Sequence, residues 1–362
     1  MRVLLATAGL LALTGSAAAG LPTAHTLRKN PSGPIEAVAQ DAGLVAWLAA
    51  GSRTCDQVRV ASPGKHDRSL PQPSSGSMTC RWDLQDGEPQ LALAARMSTA
   101  LWTLHESGPS PLDFVMAASF GGPERRIDHL AHASTGTGLW LGAVAGAGRT
   151  LAYSYIDVEY VDPLGCLGGG SCQQKIAGGG IQLVSRTSKT PTPLPGADPA
   201  LGLAAAAGRL AYIPATTVAK DGSPAATTSE PLAVVDAVSG ELAYHVAPHG
   251  LPLAIALSRR ILAVLTQNPH SDRISWYDAT AGTRLGSAAV PRRAAPELAA
   301  SDQLIVYRVG RQLRGIATSN GRSRTLAKTA LNSIGLSLEN GRIVWAENRP
   351  DGTGRLRALK LG

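Results

Sequence analysis

Short apolar runs alternate with tight turns along this chain, and one unit of that pattern returns from end to end. Its clearest copy is Gly208-Arg209-Leu210-Ala211-Tyr212, preceded by the small-residue run Leu201-Gly202-Leu203-Ala204-Ala205-Ala206-Ala207. The unit is an apolar strand, a glycine or polar turn, and a second apolar strand ending in an aromatic. Further copies are Ala42-Gly43-Leu44-Val45-Ala46-Trp47, Thr99-Ala100-Leu101-Trp102 and Gly148-Arg149-Thr150-Leu151-Ala152-Tyr153. Asp302-Gln303-Leu304-Ile305-Val306-Tyr307 and Gly341-Arg342-Ile343-Val344-Trp345 continue the series, and Arg260-Ile261-Leu262-Ala263-Val264 is the same hairpin without the aromatic. Apolar runs of this length, bounded by turn residues, read as strands. No sustained i, i+3, i+4 apolar face exists outside the N-terminal stretch, so helices are not expected.

After each aromatic comes another apolar strand, a turn with glycine, and a fourth strand. Leu232-Ala233-Val234-Val235-Asp236-Ala237-Val238-Ser239-Gly240 and Ile274-Ser275-Trp276-Tyr277-Asp278-Ala279-Thr280-Ala281-Gly282 show it best, with Leu313-Arg314-Gly315-Ile316-Ala317-Thr318-Ser319-Asn320-Gly321 a weaker case. Asp accepts backbone N–H bonds in such a turn and Gly supplies the positive φ that ends it. Between adjacent units that both carry the aromatic, its spacing runs from 38 residues (Tyr307 to Trp345) to 59 (Tyr153 to Tyr212), which brackets a four-stranded propeller blade of about 40–50 residues. The pattern predicts an all-β fold, a seven-bladed β-propeller of four-stranded blades, at 35–86, 87–137, 138–196, 197–250, 251–294, 295–332 and 333–362. A pair of β-sandwiches also contains many short strands but has no reason to repeat one hairpin seven times.

The last unit offers three strands before the chain ends at Gly362. An open ring would expose a long edge, which proteins avoid. The spare piece at 21–28 is therefore expected to supply the fourth strand, closing the ring with an N-terminal strand. Ahead of it, Met1-Arg2, an apolar run from Val3 to Leu13 and the small residues Ala17-Ala18-Ala19-Gly20 have the order of a secretory signal peptide. The apolar run falls well short of the ~20 residues that span a bilayer, and no Cys follows it as in a lipoprotein. The expected organisation is a signal peptide at 1–19, an N-terminal segment with the closing strand at 20–33, and the propeller at 34–362. The mature protein is expected to be secreted or extracytoplasmic, in the cell envelope, with no membrane span.

At 44% hydrophobic the chain has the composition of a packed protein, and a repeat fold escapes the two-domain expectation for 362 residues because each unit buries its face on its neighbours. The formal charge of +8 is mostly arginine scattered singly. With no basic run and no interleaved aromatics it reads as solvation, and no nucleic-acid partner is expected. Export changes the reading of the four cysteines, because an oxidising compartment favours disulfides. Cys55 and Cys80 flank one hairpin, and Cys166 and Cys172 bound a short glycine loop, so the pairs expected are Cys55–Cys80 and Cys166–Cys172. Neither spacing is that of a zinc site.

The stretch Ile334-Gly335-Leu336-Ser337-Leu338-Glu339-Asn340-Gly341-Arg342-Ile343-Val344-Trp345-Ala346-Glu347-Asn348, followed by Asp351-Gly352-Thr353-Gly354-Arg355-Leu356-Arg357-Ala358-Leu359, resembles the repeat of TolB-type and WD40-like propellers of exported bacterial proteins. The Asp-x-x-x-Gly turns are similar to those of quinoprotein and surface-protein propellers. The Ser-Pro-Asp-Gly turn of the TolB pattern is missing from the units, as is the adjacent Cys-Cys pair of quinoproteins. The resemblance implies the fold, and for TolB-type relatives contact with other proteins.

Four carboxylates, Glu36, Glu88, Asp198 and Glu297, stand ten to fourteen residues ahead of their unit's aromatic, near the start of an inner strand. In a propeller those starts surround one mouth of the central channel, where a ring of carboxylates can hold a cation or supply an acid–base pair for a sugar. Asp157 and Glu159 alternate on one strand face with Asp162 following, a candidate Ca²⁺ cluster. His129 and His132, three apart on a strand, point to opposite sides, and His245, His249 and His270 are isolated. Serine-nucleophile, phosphate-loop and dinucleotide motifs are missing. The expected function is a non-catalytic binding or scaffold module for a protein or glycan partner, acting as a monomer without cofactor or metal. The alternative is a hydrolase or lyase with the carboxylates at the channel mouth. The unusually long third unit, with its excess at 158–180, is the expected partner-binding loop.

Overall fold

In the computed structural model, residues 23–49, 56–62, 68–70, 89–106, 110–133, 135–162, 172–292, 294–330 and 333–361 are described, and every copy of the hairpin becomes the first two strands of a four-stranded antiparallel sheet. The N-terminal strand is β1 (His25–Asn30). Blade one holds β2 (Ile35–Asp41), β3 (Leu44–Ala49), β4 (Gln57–Ala61) and β5 (Arg68–Ser69). Blade two holds β6 (Leu91–Ala94), β7 (Thr99–Glu106), β8 (Leu112–Ser119) and β9 (Glu124–Ala131), and blade three β10 (Gly138–Ala147), β11 (Thr150–Tyr160), β12 (Gln174–Leu183) and β13 (Thr192–Pro193). Blade four is built from β14 (Ala200–Ala206), β15 (Arg209–Pro214), β18 (Leu232–Asp236) and β19 (Leu242–Val246), with a separate small hairpin of β16 (Thr217–Val218) and β17 (Pro224–Ala225) inserted between its second and third strands. Blade five has β20 (Leu251–Leu257), β21 (Ile261–Gln267), β22 (Asp272–Asp278) and β23 (Arg284–Val290). Blade six has β24 (Ala294–Ala300), β25 (Leu304–Val309), β26 (Gln312–Ala317) and β27 (Ser323–Lys328). Blade seven has β28 (Ser333–Glu339), β29 (Arg342–Asn348) and β30 (Gly354–Lys360), and β1 pairs antiparallel with β30 as its outer strand. The ring is thus closed by the N-terminal strand, centred a few residues later than the 21–28 segment expected.

First strands touch in succession around the ring, β2 to β6, β10, β14, β20, β24, β28 and back to β2, and so line the channel. Blade-to-blade connections and the links between second and third strands then share one face, here the upper face, and the hairpin turns share the lower. Three of the lower turns, Ala42-Gly43, Ala207-Gly208 and Asn340-Gly341, have positive φ at both residues (47° and 81°, 49° and 77°, 47° and 69°). This is the two-residue type I′ turn, whose twist matches that of the strands it joins.

Second strands are the most buried, because each lies between two neighbouring blades and has no solvent face. That is why they read as continuous apolar runs rather than alternating ones. Successive residues serve opposite neighbours: Val45, Trp47 and Ala49 pack with blade seven, Ala46 and Leu48 with blade two. The recurrent aromatic always faces the preceding blade, Trp102 toward blade one, Tyr153 toward two, Tyr212 toward three, Tyr307 toward five and Trp345 toward six. Blade five has Val264 at that position, and Tyr277 of its own third strand with Tyr244 of blade four fills the same wedge.

Polar contacts tie the blades at both ends. Asp41 Oδ2 accepts from the amides of Ala95 and Gly148 in blades two and three (2.6 and 2.7 Å), and Glu339 of blade seven accepts from Ala42 and Gly43 of blade one. Asn348 exchanges two 2.9 Å hydrogen bonds with the backbone of Ile35, joining blade seven to blade one as a strand would.

Candidate functional site

Six of the seven inner strands carry a register shift, and β6 is the exception. A bulge leaves a residue unpaired and re-aims its side chain. Glu36 sits in the bulge of β2 and Glu297 in that of β24, both toward the upper end, while Asp198 lies two residues before β14. Glu88 lies outside the described residues. The three that are described meet different surroundings. Glu297 is paired with Arg308 (2.8 Å) and accepts from the amide of Gly335 in blade seven (2.9 Å), so it bridges two blades. Asp198 meets the hydroxyl of Tyr212 at 3.5 Å within blade four. Glu36 Oε2 is buried with no hydrogen-bond partner among the described residues. Burial, and then the negative charge of Asp56, push the Glu36 carboxyl up to about 8. It is therefore protonated at neutral pH.

Blade three differs from the sequence expectation. Much of the stretch at 158–180 is strand: β11 runs to Tyr160 and β12 starts at Gln174, and the two are paired with one register shift between Asp157 and Val158. The hairpin rises above the upper face and is held there. Gln174 donates to the carbonyl of Thr135 (2.5 Å), and Gly136 approaches Gly222 of the blade-four insertion so closely that a Cβ on Gly136 would lie 2.8 Å from its carbonyl oxygen. A separate apolar cluster of Ile156, Val158 and Ala215, with Trp140, Ile176 and Val218 against it, seals the base. At the crown Val161 is 53% exposed. Asp157 and Glu159 share a face, and burial and then the Glu159 charge raise the Asp157 carboxyl. Among the described residues, Asp157, Glu159 and Asp162 included, no three His, Cys, Asp or Glu form a group able to hold a metal ion. Cys55, Cys80 and Cys166 lie outside the described residues, and Cys172 is exposed.

One constellation on this face was missed by sequence reasoning. His105 Nδ1 and Asp113 Oδ1 are 2.8 Å apart at the upper end of the β7–β8 hairpin, and Asp113 Oδ2 accepts from the amide of Leu141 in blade three (3.4 Å). Beside them His132 stacks on Trp140, ring centres 3.8 Å apart and planes 12° from parallel. Burial lowers its affinity for a proton, against the pull of Asp113. His132 therefore packs, while His129 is exposed on β9. The signal for the pair was present: pairing β7 with β8 about residue 109 puts 105 opposite 113.

No protein-family model and no curated protein sequence matches the chain. Solved structures do. The AfRom2 CNH domain is similar at 10% identity, with 94% of this chain and 100% of that one covered and a TM-score of 0.50. The Dos1 propeller is similar at 10% identity over 94% and 95% (TM-score 0.47), and BamB from Moraxella catarrhalis at 11% over 93% and 98% (TM-score 0.44). At such identities the likeness concerns the fold, a β-propeller. No helix among the described residues is long and apolar enough to cross a membrane.

Proposed function

We propose that this chain is an exported, non-catalytic binding or scaffold propeller whose upper face, around the blade-three hairpin, takes a protein or glycan partner. The observation that carries the reading is the built base of that hairpin. Ring closure needs neither the extension of β11 and β12 nor the β16–β17 insertion, yet the two are packed together and share an apolar cluster of their own, and Gln174 ties the hairpin to the carbonyl of Thr135. Long ordered loops on a rigid scaffold are where binding residues concentrate. The reading includes a signal peptide at 1–19 and the disulfides Cys55–Cys80 and Cys166–Cys172.

The test replaces 162–173 with a short Gly-Ser turn, leaving β11 and β12 whole. The folded variant is expected to lose the partners that the parent captures from its own extracellular medium. Retention of the same set would move the site elsewhere. The hydrolase or lyase alternative is favoured by Glu36, a carboxyl buried near Asp56 in the bulge of β2. An assay in which the parent cleaves a polysaccharide and Glu36→Gln does not, with binding unchanged, decides for it.

A further inference from the structure

Charge on this molecule is not scattered once the ring is closed. Residues 295–362 contain 11 Arg and Lys against 5 Asp and Glu, and 23–34 add Arg28 and Lys29 with no acid. Blades six and seven with their closing strand thus carry all of the net +8, and the rest of the chain balances at 21 against 21. The acids within this sector are mostly engaged. Glu347, 2% exposed, accepts from Trp345 Nε1 (3.0 Å) and from Arg355 (2.7 Å), Glu297 pairs with Arg308, and Glu339 is held by the blade-one turn. Asp351 is the sole exposed carboxylate among the described residues of the sector, and it accepts from the amide and hydroxyl of Thr353.

The exposed cations have a definite place. Lys328 ends β27, and Arg311 lies beside it, since its carbonyl accepts from the amide of Thr329 (2.9 Å). Lys29 lies near the upper end of β1, opposite Arg355, and Arg349 opens the turn between β29 and β30. Arg292, in the connection entering blade six, completes an upper rim of five exposed cations. Arg322, Arg324 and Lys360 are exposed toward the lower side.

We propose that the upper rim of blades six and seven binds an acidic polysaccharide. The rim presents several cations along one edge, which suits a polymer of repeating negative charge. It lacks what other polyanions use. The aromatics of these blades, Tyr307 and Trp345, are buried, so a single-stranded nucleic acid finds no stacking platform. Among the described residues, the exposed large hydrophobics, Val161, Val238, Leu242 and Leu285, belong to blades three to five, so the described part of this rim offers an acidic protein no apolar centre of the kind protein interfaces are built around. What remains is recognition by charge and hydrogen bonding alone, as carboxylated or sulfated sugars allow. The site is separate from the blade-three hairpin, and the proposal shares with the previous reading only the premise that this propeller binds.

The experiment measures binding of the full mature chain to labelled polygalacturonate and heparin, with polyglutamate and a single-stranded oligonucleotide as comparison polyanions. Affinity for one or both polysaccharides is expected to fall steeply with salt, as several simultaneous ion pairs require. The variant K29Q/R311Q/K328Q/R349Q is expected to weaken binding about tenfold or more and to flatten the salt dependence by about one unit of slope for each cation removed. The lower-face variant R322Q/K360Q, carrying two fewer charges, is expected to bind like the parent. All six positions are exposed, and an unchanged melting curve confirms folding. Absence of polysaccharide binding, an upper-rim variant that binds normally, or equal damage from the lower-face variant overturns the proposal. Binding of polyglutamate or oligonucleotide as tight as that of polysaccharide overturns the assignment of partner. Replacement of 162–173 is expected to leave this binding intact, so failure of the blade-three reading would be seen separately.

Discussion

Glu36 shows how far one side chain can depart from its ordinary chemistry through placement alone. Its neighbours in sequence are Ile35 and Ala37, and nothing in that context marks it apart from a solvated carboxylate. The bulge of β2 turns it into a buried position facing Asp56, and the carboxyl holds its proton up to about 8. In the unfolded chain the same group ionises near 4.5. Between those values the folded state binds more protons than the unfolded one, so stability falls as pH rises through the interval. Glu36→Gln is expected to remove most of that slope and to be the more stable protein at pH about 8, read from urea midpoints at about pH 5 and 8. Parallel lines for parent and variant would show that Glu36 is solvated instead. Asp236 and Asp278 go the other way. Backbone amides of Ser239 and Val238, and of Ala281 and Thr280, hold these carboxyls below the usual range, so their contribution is present at neutral pH and is lost only in acid.

At the level of hairpins, the repeat tolerates variation where a neighbour can compensate and departs little where the backbone dictates. The wedge between blades four and five lacks its aromatic at Val264, and Tyr277 with Tyr244 occupies the space from other strands. No such substitute exists for a turn conformation. Ala207 holds φ of 49°, a left-handed value that costs an ordinary residue about 1 kcal/mol, where the equivalent turn of blade seven has Asn340. Ala207 is exposed and its side chain has no packing role. Ala207→Asn is therefore expected to stabilise the protein by about 0.5–1 kcal/mol, seen as a higher urea midpoint. A neutral or destabilising outcome would mean that the turn is not of this type in solution. The Asp-x-x-x-Gly turns were legible because each is specified within five residues: Asp236 accepts from Val238 and Ser239, and Gly240 bonds back to the carbonyl of Asp236. The blade-three hairpin was misjudged because Gly178, Gly179 and Gly180 read locally as loop, whereas pairing with Tyr155, Ile156 and Asp157 makes them strand.

For the whole ring, closure is the decisive event. β1 meets β30 in antiparallel register, and Arg357 reaches back to the hydroxyl of Thr26 and the carbonyl of Ala24 (2.9 and 3.0 Å). Asn348 and Ile35 complete the seam from the inside. Deleting residues 20–30 removes the outer strand of blade seven, exposes the edge of β30 and is expected to lower the melting temperature by several degrees. An unchanged melting curve would show that the ring does not depend on this strand. The same closure gathers the basic sector: Lys29 and Arg355 stand opposite each other although the length of the propeller separates them in the chain.

The sequence by itself determined the number of blades, their order, the four-strand unit and the need for a closing strand. These follow from signals contained within a few residues of one another, an apolar run buried on both faces and a turn that only certain residues can make. Which carboxylates are buried, which histidine meets which aspartate, and where the charge collects were decided by the tertiary structure. Bulges re-aim side chains, neighbouring blades bring together residues remote in the chain, and charges add over a surface whose members lie far apart in sequence. His105 and Asp113, Glu36 and Asp56, and the rim from Lys29 to Arg349 all depend on distances that no local pattern records.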